Sequence, residues 1–128
     1  MNHKKVKKII EPLVPRLRKL LCLSEWQVEH LYMSGENHEN KDCAMTIDIL
    51  IPYLSARISI WDRAYTLPDE EVIEAYTHEF CHIYTESLYS IARANANPHL
   101  IPFIEEQREQ LTERIARLAV KLLSNTKE

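Results

Sequence analysis

Between Pro68 and Pro98 the chain runs DEEVIEAYTHEFCHIYTESLYSIARANAN, with no proline and no glycine. Nothing else restricts the fold as tightly, because an uninterrupted stretch of this length and periodicity suits one long helix. Asp69 after Pro68 is expected as the N-cap, and Glu70 and Glu71 suit the positive end of the helix dipole. Advancing about 100° per residue from His78 puts Val72, Tyr76, Phe80, Ile83 and Ser87 at roughly 120–200°, with Ile73 and Ile91 close by. That arc is a packing face, and the helix is expected over residues 70–93. His82 falls at about 40° and Glu79 at about 100°, which turns the histidines away from the packing face, where a cleft can open.

Those polar residues spell His78-Glu79-Phe80-Cys81-His82, an HExxH pattern. Residues four apart share one side of a helix, so both imidazoles can grip a single metal ion. Glu79 sits within reach of a water on such an ion, and a carboxylate there can take its proton and direct the attack. Two ligands and a general base in five residues point to zinc peptidase chemistry. Cys81, inside the pattern, is expected to pack beside the helix.

Composition narrows the alternatives. With 128 residues the chain is expected to form one domain with a modest core that needs no disulfide staples. Hydrophobic residues make up 45%, charged residues 27%, and the net charge is −3, which fits a soluble globular protein. One glycine in the whole sequence argues against Gly-rich phosphate loops and against a turn-rich β-sandwich. No apolar run approaches the roughly 18 residues a membrane span needs. Residues 1–22 are basic but lack the apolar segment and cleavage site of a secretory signal. Cys22, Cys43 and Cys81 are odd in number and scattered, so a disulfide framework is not expected and a cytoplasmic setting is.

Six elements follow from the periodicity. Residues 4–22 read as a helix that Pro12 and Pro15 should kink or divide. Residues 26–33, 43–51 and 54–61 read as strands, with the polar SGENHENKD as a turn between the first two and Pro52 between the others. The HExxH helix follows, ANANPHLIP breaks the chain, and a last helix covers residues 102–123. The order α-β-β-β-α-α describes a small α+β domain, three strands beside three helices.

A catalytic zinc site usually holds three protein ligands, so a third is needed beyond the two histidines. Thr85 and Leu88 occupy the positions where a metzincin carries Gly and His, which excludes that class. Glu86 shares the metal-facing side of the same helix, but three ligands on one straight helix converge poorly, and a salt bridge suits it better. His99 lies in a loop that can fold back. On the last helix, Ile104, Leu111, Ile115, Leu118 and Leu122 define an apolar stripe. Glu105, Glu106 and Glu113 read as a solvated acidic face with Arg108, Arg114 and Arg117 as neighbours. Glu109 falls on the shoulder of the stripe, at about 140°, where a partly buried carboxylate needs a partner. It is the leading candidate, with Glu105, Glu106, Glu113 and His99 as alternatives.

HExxH on one helix with a glutamate on a following helix resembles the gluzincins, in particular the single-domain minigluzincins. The element order is also similar to that of small phage-type HExxH metallopeptidases. The likeness spans about Trp26 to Leu123, and HExxH is its one specific motif. Gluzincins commonly carry ExxxD on the glutamate helix, with the aspartate supporting a ligand histidine. Glu109-Gln110-Leu111-Thr112-Glu113 has that spacing, with Glu in place of Asp, so the resemblance implies Glu109 on zinc and Glu113 behind a histidine. It implies peptide or protein as substrate, and an edge strand, Ala56 to Trp61, aligning that substrate by β-augmentation. There is no room for the C-terminal subdomain whose histidine or tyrosine stabilises the oxyanion in larger relatives. Tyr84 or Tyr89 is the substitute available, although helix tyrosines usually pack. Trp61 and Tyr65 suit a core role better than a subsite.

SprT-like zinc proteases, another HExxH group, act on DNA-bound proteins, so the N-terminal lysines and arginines raise the question of nucleic acid. The chain is acidic overall, no aromatic residue interleaves with those cations, and a solvated helix face explains them. The alternative to a peptidase is a zinc-stabilised binding or assembly module that cuts nothing. A further alternative is a metal-free helical domain.

Overall fold

The computed structural model describes residues 3–34 and 43–125; the expected polar turn, with His38, lies outside them apart from Ser34. The elements are α1 (His3–Leu20), β1 (Gln27–Tyr32), β2 (Met45–Leu50), β3 (Ser55–Ile60), α2 (Asp69–Asn95) and α3 (Ile101–Asn125). Short 3₁₀ turns at Ile51–Tyr53, Asp62–Thr66 and Pro98–Leu100 join them. The result is a small α+β fold with a three-stranded mixed sheet. Among the described residues no helix is long and apolar enough to cross a membrane.

α1 buries Val6, Ile10, Leu13 and Leu17 along one stripe and runs through Pro12 and Pro15 without dividing. The carbonyls that lose their amide partners to the prolines belong to Lys8 and Glu11. Both residues are exposed, so water can take up those bonds while the opposite face stays packed. α1 ends in a Schellman motif. Leu23 N–H donates to Arg18 O at 2.8 Å and Cys22 N–H to Lys19 O at 3.3 Å, with Cys22 left-handed at φ 56°. Of the basic residues on this helix, Lys5 pairs with Asp69 at 3.2 Å and Arg16 donates to Leu123 O at 2.6 Å.

The sheet order is β1-β3-β2, with β1 parallel and β2 antiparallel to β3. β3 is therefore central, and the strand expected at the edge is not there: β2 is the edge beside the histidines of α2. The alternation of residues 54–61 specifies which side chains face the core but not which strand pairs with which. β3 buries Ala56, Ile58 and Ile60. On its other face Arg57 stands opposite both Glu29 and Asp48 and reaches the Glu29 carboxylate at 3.3 Å.

α2 buries Val72, Tyr76, Phe80 and Ile83 on the expected arc, but Ile91 is exposed. Thr77, Cys81 and Thr85 are buried as well, because α1 and α3 cover further sides of the helix. Asp69 is the first helical residue and not the cap; Pro68 takes that position without a side-chain cap bond.

α3 departs most from expectation. Its buried residues are Thr112, Ala116, Ala119 and Leu123, while Leu111 and Leu118 of the expected stripe are 40% and 59% exposed. Small side chains let α3 approach α2 closely, and Thr85 Oγ1 lies 2.9 Å from Thr112 Oγ1 in the buried seam. Leucines there would hold the helices apart, so they are turned outward.

Candidate metal centre

The His78–His82 turn of α2 faces two neighbours, β2 on one side and α3 on the other. Between them lies a cleft in two adjoining parts of about 470 and 360 Å³, which share Cys43, Met45, His78 and Glu79. His82, Glu86, Arg108 and Glu109 line one part, and Arg63, Glu71, Glu74 and Glu113 line the other. Thr46, Ile47 and Ile49 of β2 form the opposite wall.

Helical spacing brings the two imidazoles together at 5.0 Å between ring centroids, nearly perpendicular. Ligating atoms of His78, Glu79 and His82 all lie within 4.8 Å of one another, a group that could hold a metal ion. α3 adds carboxylates from across the seam. Glu109 Oε2 lies 3.5 Å from His78 Nε2, and Glu109 Oε1 lies 3.5 Å from His82 Nε2. Glu113 Oε2 lies 3.1 Å from His78 Nδ1, a hydrogen-bonding distance. The two ring nitrogens of His78 thus face different carboxylates, Nδ1 toward Glu113 and Nε2 toward Glu109.

The two 3.5 Å separations are informative. They are longer than the roughly 2.7–3.2 Å of a good N–H···O hydrogen bond. They end on different oxygens of Glu109, so they set its carboxylate astride the two imidazoles. The donor set of two imidazoles and one carboxylate is also a common one for catalytic zinc.

The other candidates go elsewhere. His99 is exposed in the Pro98–Leu100 turn, where its amide is capped by Asn97 Oδ1 at 3.0 Å. Neither it nor Glu105 nor Glu106 lines the cleft. Glu105 accepts from Tyr89 Oη at 3.2 Å, Glu106 from Gln110 at 3.2 Å, and Glu86 pairs with Arg108 at 3.5 Å. Tyr84 is exposed, and Tyr89 is buried beneath the Arg108 guanidinium at 4.0 Å, so neither points into the cleft. Tyr65 donates to Met33 O and Ile60 O, and Trp61 to Thr46 Oγ1, as packing residues do. Arg108 is the residue the sequence did not mark. It reads there as a surface ion-pair partner, yet it stands at the cleft with Nη2 3.8 Å from Glu109 Oε1. Its position one residue before Glu109 was the available signal.

Burial sets the protonation of the centre. It pushes the Glu79 carboxyl up to about 8, with the Glu109 charge adding to the effect. It also lowers His82 to about 4, against the pull of Glu109 and helped by His78 and Arg108. His82 is thus a neutral imidazole at pH 7, the form that ligates metal. In the metal-free protein both shifts carry a stability cost. Unfolded Glu79 ionises near 4.5 while the folded residue keeps its proton to about 8, so stability falls as pH rises across that window. Unfolded His82 gains a proton near 6.5 and the folded residue only near 4, so stability falls as pH drops across that window. The slopes oppose below 6.5, and above it Glu79 acts alone. With chelator present, melting temperature is expected to decline between pH 6.5 and 8, by up to roughly 1.4 kcal/mol of stability per unit. Glu79→Gln should flatten that limb. An unchanged slope in the variant would remove Glu79 as its cause.

Comparison of the chain with protein families, with curated proteins and with solved structures found no match.

Proposed function

We propose that this chain is a zinc-dependent peptidase of gluzincin type. His78, His82 and Glu109 are the ligands, Glu79 is the general base, and Glu113 orients His78. The observation that carries the reading is the pair of 3.5 Å separations from one carboxylate to two imidazole Nε2 atoms on another helix. The 3.1 Å approach of Glu113 Oε2 to His78 Nδ1 supports it, since ligand histidines almost always donate their second N–H to an acceptor that fixes the ring.

A bound zinc ion would supply Lewis acidity toward a peptide carbonyl and bring water within range of ionising near neutral pH. The chain's own residues do the rest. Glu79 takes the proton of the attacking water on a carboxylate oxygen and passes it to the departing amine. In the metal-free protein burial holds that carboxyl protonated up to about pH 8; the charge of a bound cation beside it would bring it down, leaving a carboxylate that can accept the proton. Glu113 keeps the His78 ring in one tautomer, and β2, which pairs with no strand but β3 among the described residues, offers an edge along which an extended peptide can lie.

The test is metal content and cleavage measured together on one preparation. About one zinc per chain and cleavage in a mixed peptide library, both lost to chelator and restored by zinc, are expected. One zinc with no cleavage favours the binding or assembly module. No zinc sinks both.

A further inference from the structure

Building on the peptidase reading, we infer that Arg108 is a further catalytic residue, whose guanidinium donates to the carbonyl oxygen of the bond being cut. When water adds to a peptide carbonyl, its oxygen forms a bond to carbon and Glu79 receives the proton. The π electrons of the carbonyl move onto its oxygen, which becomes negative. They return when the C–N bond breaks and the amine leaves with the proton. Donors already fixed around that oxygen lower the barrier, because nothing has to rearrange as the charge appears.

The position of Arg108 suits this part. It lines the same 360 Å³ portion of the cleft as Glu79, His82 and Glu109, with Ile47 and Ile49 of β2 as the facing wall. Nη2 lies 3.8 Å from Glu109 Oε1, the same oxygen that lies 3.5 Å from His82 Nε2. Among the described residues lining this portion, Arg108 is the one side chain with a permanent positive charge. It is also held in place. The guanidinium stacks over the Tyr89 ring at 4.0 Å, and the Tyr89 hydroxyl donates to Glu105 at 3.2 Å. Glu86 Oε2 sits 3.5 Å from Nη1, and the side chain is only 25% exposed. Both carboxylate separations exceed the roughly 2.7–3.2 Å of a good N–H···O bond, so they orient the fork without saturating it. Nε is buried with no hydrogen-bond partner. A mostly buried guanidinium left short of its bonds is costly as structure alone.

The test compares Arg108→Met and Arg108→Lys with wild type, all zinc-loaded, on the best-cleaved peptide of the mixed library. Arg108→Met should lower kcat by about 10²–10³-fold, with KM within a few-fold and zinc affinity not weakened. Arg108→Lys, which keeps the charge and loses the planar fork, should recover part of kcat. A phosphinic analogue of that peptide, tetrahedral and anionic at the scissile position, should bind Arg108→Met more weakly by a factor close to the loss in kcat. Calorimetry reads that factor without turnover. A kcat within about threefold of wild type in Arg108→Met overturns the inference and leaves the peptidase reading standing. So does a loss confined to KM, or a parallel loss of zinc affinity, which would make Arg108 a support for Glu109. A zinc-loaded wild type that cleaves nothing overturns the peptidase reading and this inference with it.

Discussion

Glu79→Gln should lower peptide cleavage by about 10²–10⁴-fold while zinc binding stays within a few-fold of wild type, the usual size of a lost general base. The amide is nearly isosteric with the carboxylate, so the packing of a residue largely enclosed between α2, α3 and β2 is preserved. What disappears is the ability to accept a proton at that oxygen. Zinc stoichiometry and single-turnover cleavage are to be measured on the same samples. Loss of both together would recast Glu79 as a ligand, consistent with its place in the His78–Glu79–His82 group. Retention of both would leave the chemistry without its base.

The second large effect concerns the ligands. A structural zinc site contributes about 10–16 kcal/mol over four ligands, so one ligand is worth about 3–4 kcal/mol. His82→Ala is therefore expected to weaken zinc binding by about 10²–10³-fold, and Glu109→Gln by a similar or somewhat smaller factor. Glu113→Gln acts through His78 and should cost about 10–100-fold, with the imidazole still in place. Competition titration against a chromophoric chelator gives all three values. The order is the informative part. A Glu109 variant that binds as wild type would return the carboxylate to a simple ion-pair role, and an equal loss at Glu105 would move the third ligand one turn along α3.

Much of this was legible before any coordinates. The long helix, the strands and the α+β order follow from periodicity and from where proline interrupts it. The HExxH spacing places two imidazoles on one side of a helix wherever that helix packs. The tertiary choices were less visible. Periodicity ranks Leu111, Leu118 and Leu122 above Thr112 and Ala116 as core residues, because it counts apolarity and not the separation two helices can tolerate. Strand pairing was hidden for a related reason: residues 54–61 alternate in the same way at an edge or in the centre. Glu109 emerged because a carboxylate among small residues stood out on the wheel, whereas Arg108 beside it resembled any surface cation.

Thr85, Thr112, Ala116 and Ala119 do more than fill the seam between α2 and α3. Glu109 and Glu113 ride on α3 as a rigid rod, so their reach toward the imidazoles is inherited from how deeply that rod is seated. One added methylene beneath the rod would lift both carboxylates together, with no change to any residue of the centre itself. The tolerance of the proposed cation-binding geometry is thus written into the least chemically reactive positions of the chain, which act as its spacer.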